Sequence, residues 1–137
     1  MIHMQQKMSG FDVIVLTEES TNSKAVLCPE RGGILIQLTL HGEEILYLQE
    51  DTFADASKNI RGGNPVLFPI CGPLQNNEYK LNGQTYKMKQ HGFARNKPWT
   101  VVECSGTKAT LQLKDDEETR TQYPFQFCLQ FTYELHT

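Results

Sequence analysis

Apolar and polar residues alternate in short runs along most of this chain. Residues 11–17 show the pattern, residues 24–28 form a second run, and Ile34–Leu40 reads Ile-Leu-Ile-Gln-Leu-Thr-Leu. Side chains of a β-strand point to opposite faces in turn, so these runs predict strands. His41-Gly42 marks a turn, and residues 43–49 are expected to return as the second arm of a hairpin. The clearest hairpin is residues 79–81 and 84–88 around Asn82-Gly83, a pair that supports a type I′ turn. Residues 66–71 predict a buried strand interrupted by Pro69. Residues 99–104 and 109–114 predict two strands around Ser105-Gly106-Thr107, and residues 125–135 a long alternating one. Residues 51–58 have helical composition but are few, and predict a loop with one helical turn. Residues 115–119 predict an acidic loop. Many short strands separated by turn residues point to an all-β fold, a β-sandwich or barrel.

With 137 residues, one domain is expected: a polar N-terminal lead over 1–10, with Met8 as an alternative start, and a single β domain over 11–137. The lead has no apolar stretch after its charge, so no signal peptide is expected. No apolar run approaches the roughly 18 residues that cross a bilayer. Net charge is −3 and the lysines and arginines are scattered, which argues against nucleic acid as a partner. The four cysteines, Cys28, Cys71, Cys104 and Cys128, are far apart. They lack the close pairs of zinc sites, and free thiols in a reducing cytoplasm are expected. Cys128 alternates with Phe127 and Leu129, which makes it a small core or face residue.

Candidate chemistry is concentrated in two segments. Gln90-His91-Gly92-Phe93-Ala94-Arg95-Asn96-Lys97-Pro98-Trp99 sets a histidine, an arginine and an indole around a glycine. Histidine holds or transfers a proton near neutral pH, and arginine offers a planar fork to an anion or to paired hydroxyls. Arg61-Gly62-Gly63-Asn64-Pro65-Val66-Leu67-Phe68-Pro69 is a second arginine at a glycine-marked turn. Together they suit a polar, partly aromatic pocket for a small hydrophilic ligand, with Phe93 and Trp99 as wall or packing. Arg95 has a structural alternative as an ion pair with Glu103. Arg31-Gly32-Gly33 reads as a structural turn between strands, and Asp115-Asp116-Glu117-Glu118 as a solvated loop. His3, His41 and His136 are expected to be exposed or terminal.

These segments resemble the aldose 1-epimerase (mutarotase) family, in the branch that includes the hexose-6-phosphate mutarotases. The resemblance is carried by Pro29-Glu30-Arg31-Gly32-Gly33, Glu44-Ile45-Leu46-Tyr47, Arg61 through Gly72, Leu81-Asn82-Gly83, Gln90 through Arg95 and Tyr123-Pro124-Phe125, in the family's order. It implies part of a β-supersandwich, the N-terminal half, and an isomerase that interconverts α and β anomers with neither metal nor organic cofactor. In that chemistry one group protonates the ring oxygen while another deprotonates the C1 hydroxyl; the ring opens, C1–C2 rotates and the ring recloses. The resemblance implies that Arg61, Gln90 and Arg95 contact substrate and that His91 orients hydroxyls. It also implies an acid histidine and a base glutamate in a second half, beyond the residues matched here; His136 does not match that histidine. His91, with Glu30 or Glu103, is the candidate for a catalytic role within this chain. The implied partner is an aldose or a sugar phosphate, with a homodimer as the possible assembly. A non-catalytic sugar-binding module, or a fragment that pairs with a second copy, is the alternative that the same residues allow.

Overall fold

The computed structural model describes residues 6–137; Met1–Gln5, with His3 among them, lie outside the described residues. The elements in order are β1 (Gln6–Met8), β2 (Phe11–Glu18), β3 (Ser23–Cys28), β4 (Ile34–Leu40), β5 (Glu43–Glu44), α1 (Glu50–Ala54), β6 (Glu78–Leu81), β7 (Gln84–Lys87), β8 (Thr100–Cys104), β9 (Lys108–Lys114), α2 (Glu117–Gln122) and β10 (Cys128–Glu134). Strands β1 to β5 form one antiparallel sheet in sequence order. Strands β8, β9 and β10 form a second, with β9 in the middle, and β6–β7 stand as a hairpin. None of the described helices is long and apolar enough to cross a membrane.

Two apolar clusters hold the sheets. Leu16, Ala25, Leu27 and Leu35 of the larger sheet meet Ala109, Leu111 and Leu113 of β9, with Val66, Met88, Phe93 and Trp99 from the loops between them. The opposite face of the larger sheet buries Val13, Val26, Cys28, Ile34 and Ile36 beneath Phe53 of α1. Strand β3 is thus covered on both faces, which is why it reads as a nearly continuous apolar run. Burying each large aliphatic or aromatic side chain contributes roughly 1.5–3 kcal/mol before entropy is counted.

Several expectations are corrected. Residues 66–71 form no strand; Phe68 makes a single parallel bridge to Gly92, because Pro65 and Pro69 have no N–H to give a ladder. Residues 43–49 pair only as far as β5, since Tyr47 O accepts from Gly63 N at 2.7 Å and Gln49 N donates to Arg61 O at 2.8 Å. Of residues 115–119 only Asp115 and Asp116 stay outside regular structure; Glu117 opens α2, which Asp116 caps, accepting from Thr119 N at 2.8 Å while Thr119 Oγ1 accepts from Asp116 N at 2.9 Å. Three of the acidic residues are also paired: Lys97 Nζ lies 3.0 Å from Asp116 and 3.4 Å from Glu118, and Arg120 pairs with Asp115. The long final strand starts at Cys128, because Phe125 N turns back to Tyr123 O and Asp115 takes Phe127 N. Of the two alternatives for Cys128, core or face, the structure takes the face: it is exposed on the polar side of its sheet, with Sγ 3.2 Å from Gln112 Oε1. Within the polar lead, Gln6–Met8 join the sheet as β1. The Asn82-Gly83 turn has φ of 50° and 80°, as a type I′ turn requires.

Candidate functional site

Two loop arms carry the chemistry that the chain displays. The first runs from α1 to Asn64. Its fixed points are backbone bonds: Gln49 to Arg61, Gly63 to Tyr47, and Asn64 N to Leu35 O at 2.8 Å. Thr52 adds a side-chain clamp, its Oγ1 accepting from Arg61 N at 2.9 Å and donating to Gln49 O at 3.1 Å. The second arm, residues 89–97, is zipped to residues 68–72. Phe93 N and Ala94 N both donate to Phe68 O, at 3.0 and 3.2 Å.

At the tip of the second arm His91 and Gly92 both lie in the left-handed region, with φ of 67° and 72°. Gly92 is required there: a Cβ on it would sit 2.2 Å from Phe68 O. His91 tolerates its conformation through a reciprocal pair with Gly72. His91 N donates to Gly72 O at 3.0 Å, and Gly72 N donates to His91 Nδ1 at 2.8 Å. An Nδ1 that accepts is unprotonated, so the proton of the neutral ring sits on Nε2, which is left as a donor.

The arms face each other across a cleft of about 480 Å³, lined by Thr52, Lys58, Asn59, Ile60, Arg61, Gln90, His91 and Arg95. Asn96 Nδ2 ties the arms together, donating to Asn59 Oδ1 at 2.8 Å. All four residues singled out from the sequence, Arg61, Gln90, His91 and Arg95, line this one cleft. Lys58 lies 3.8 Å from Asp55 at the surface, so it is weakly paired. Arg95 does not pair with Glu103; Glu103 lies 3.5 Å from Lys108, and Arg95 Nη2 reaches Gln90 O at 3.5 Å. Arg95 Nε is buried with no hydrogen-bond partner among the described residues. Among the described residues no carboxylate lines the cleft, and Glu30 and Glu103 are outside its lining.

Trp99 and Phe93 pack rather than wall this cleft. Both are buried in the main core, and Trp99 Nε1 donates to Ala94 O at 3.0 Å. Phe93 borders a different cleft, with Met88, Lys97 and Gln122. His41 sits exposed in its turn at φ 50°, and His136 is exposed with Nε2 3.5 Å from Glu134. Burial pushes the Cys28 thiol up to about 11, so it is a poor nucleophile. Thr52, Lys58, Asn59 and Ile60 were not among the residues singled out from the sequence. Their only signal is adjacency to Arg61 in a loop with a helical turn.

The turn at residues 29–33 is more than a link between strands. Arg31 is buried, its Nε donating to Phe53 O at 3.1 Å and its Nη2 reaching Thr52 O and Lys58 O at 2.9 Å and Asp55 O at 3.2 Å. Burial pulls its guanidinium below the ordinary arginine value.

The same fold and segments recur in known proteins. A sequence model of the family described as aldose 1-epimerase matches residues 12–137. A protein of Escherichia coli (strain K12) named "Putative glucose-6-phosphate 1-epimerase" is 31% identical over 130 residues, covering 91% of this chain and 40% of that protein. The Slr1438 protein of Synechocystis sp. PCC 6803 superposes with a TM-score of 0.88 at 35% identity, over 98% of this chain and 47% of that one. A galactose mutarotase related enzyme from Lactobacillus acidophilus superposes with a TM-score of 0.75 at 32% identity, over 90% of this chain and 39% of that one. The chain therefore spans less than half the length of these relatives. With the family's sequence matched along nearly all of it and the β-rich fold shared, the chain belongs to the aldose 1-epimerase family.

Proposed function

We propose that this chain forms the substrate-holding portion of a cytoplasmic aldose 1-epimerase that acts on a hexose 6-phosphate. One observation carries the reading: Arg61 and Arg95, thirty-odd residues apart, line one cleft with Lys58, Gln90 and His91 and with no carboxylate among the described residues. Guanidinium groups pair bidentately with phosphate oxygens or span neighbouring hydroxyls. Gln90 can donate and accept, as a sugar hydroxyl requires, and His91 Nε2–H can donate to a sugar oxygen. Among the described residues no carboxylate lines the cleft, and His91 Nδ1 is already engaged as the acceptor from Gly72 N, so binding and orientation are the work we assign here. Glucose 6-phosphate enters as the probe because relatives carry it in their names. The cytoplasmic placement rests on four unpaired cysteines, which suit a reducing compartment.

The test is calorimetric titration of the chain with glucose 6-phosphate and with glucose, for the wild type, Arg61→Ala and Arg95→Ala. The phosphorylated sugar should bind more tightly, and each substitution should weaken it by about tenfold or more, the effect of losing a charge-assisted pair. Equal affinity for the two sugars would overturn the phosphate assignment, and no binding to either would overturn the site. Anomer exchange followed by NMR in the same samples separates two functions. Exchange above the spontaneous rate, lost in Arg61→Ala, makes this chain an epimerase by itself; binding at the spontaneous rate makes it a binding module. A second copy is the partner we expect, given exposed Val101, Val102 and Phe131 on the smaller sheet. A sedimentation mass of one chain at all concentrations would remove it.

A further inference from the structure

We infer that the turn at residues 29–33 sets the geometry of the cleft, with Arg31 as a positioning residue for the Arg61 arm. The cleft's role as a sugar-phosphate site is taken from the preceding proposal; the positioning itself rests on contacts alone. Arg31 lies outside the cleft lining, and at 7% exposure it is shielded from solvent. Its guanidinium meets carbonyl oxygens: Phe53, Thr52, Asp55 and Lys58, all between 2.9 and 3.2 Å. Nη2 has two hydrogens for three of these acceptors, so one hydrogen is shared. The Phe11 ring lies 5.7 Å from the guanidinium carbon and covers it.

Those carbonyls are the backbone of the first arm. Thr52 and Lys58 line the cleft, and the Thr52 hydroxyl holds Arg61 N. A chain of bonds thus runs from Arg31 to the Thr52 backbone, through the Thr52 side chain, to the backbone of Arg61. The same turn touches the second arm through its backbone. A Cβ on Gly32 would lie 2.2 Å from Arg95 O, at a φ of +77°, so the two segments are in direct contact there. Trp99 N donates to Pro29 O at 2.9 Å, just after that arm. One five-residue turn therefore holds the Arg61 arm by a side chain and abuts the Arg95 arm by its backbone. A lysine at position 31 has no fork to reach carbonyls at both edges of the loop.

Hydrogen exchange of backbone amides, read by NMR on the full chain, distinguishes positioning from general stabilisation. In Arg31→Lys the amides of Gln49 and Arg61 should exchange about tenfold faster or more, the effect of losing a charge-assisted bond. The amides of Phe93 in the second arm and Leu27 in the core should keep their wild-type rates. Arg31→Gln, which removes the buried charge, carries the same comparison if the lysine variant does not fold. Equal acceleration of all four amides, or an unchanged Arg61 amide, overturns the inference. Titration with glucose 6-phosphate adds a second readout. Arg31→Lys should weaken binding about tenfold, and adding Arg61→Ala to it should cost little more, because both act through one group. Full additivity of the two overturns the inference. A wild type that binds no glucose 6-phosphate, with the selective exchange intact, defeats the proposed substrate and leaves the positioning role standing.

Discussion

Arg31 and Arg61 each precede a Gly-Gly pair, yet burial separates their roles. Arg31 spends its donors on four backbone carbonyls, whereas Arg61 is exposed on the rim of the cleft and is itself held by its backbone. The two motifs look alike because residue type is all that a sequence displays; which arginine is free depends on what the rest of the chain packs against it. Gly92 makes a sharper prediction. Alanine there combines a φ of +72° with a Cβ 2.2 Å from a backbone oxygen. Gly92→Ala should cost about 1–3 kcal/mol or more, read as a lower urea midpoint. It should also weaken sugar-phosphate binding, because the His91–Gly72 pair must shift with it. An unchanged midpoint would show that the tip of the arm can re-form around a side chain.

At the scale of elements, α2 shows what a run of acidic residues can do besides stay solvated. Asp115, Asp116, Glu117 and Glu118 look like a charged loop, but Asp116 and Thr119 form a reciprocal cap, and the negative charges gather at the helix N-terminus. The Thr119 N–H, then Lys97, hold the Asp116 carboxyl below the usual carboxylate range. The Phe127 N–H, then Arg120, do the same for Asp115. A carboxyl whose pKa is depressed in the folded state stabilises above the ordinary range. That contribution is lost as pH falls from about 4 through the folded-state values. Asp116→Ala should cost about 0.5–2 kcal/mol near neutral pH, the usual value of an N-cap. Its urea midpoint should also fall less steeply on acidification than the wild type's. Parallel acid limbs for the two proteins would mean that Asp116 contributes nothing to the pH dependence. The capping residues were visible in the sequence; the charge density made a loop the natural expectation, and the bond from Phe127 N to Asp115 closes the segment only in three dimensions.

For the whole molecule, the two faces of the larger sheet do different work. One face joins the sheets through Leu111 and its neighbours. The other supports the first arm of the cleft through Phe53, fully buried in α1, whose carbonyl also accepts from Arg31. Phe53→Ala should cost about 3–5 kcal/mol, and Leu111→Ala about 2–5 kcal/mol. The two should differ in function: Phe53→Ala is expected to weaken glucose 6-phosphate binding in the protein that remains folded, and Leu111→Ala to leave it near wild type. Titration below the unfolding transition reads that difference, and equal loss in both variants would mean that the clusters act as one core.

Local residue pattern was enough for the all-β class, the places of β2, β3, β4, β8 and β9, and the type I′ hairpin. These follow from side-chain alternation and from turn residues, which act between near neighbours. The sequence also displayed Arg61, His91 and Arg95 in two glycine-marked segments, whereas Gln90 was marked by the resemblance to the aldose 1-epimerase family. Long-range contacts, by contrast, keep residues 66–71 outside any sheet, stop β5 at Glu44, and bring Thr52, Lys58, Asn59 and Ile60 into one cleft with residues thirty or more positions away. Each of those outcomes depends on which distant backbone group satisfies a given N–H or carbonyl. A pattern of residue types constrains the faces of an element, but it does not name the partner of a loop's backbone, and the cleft is built from loops.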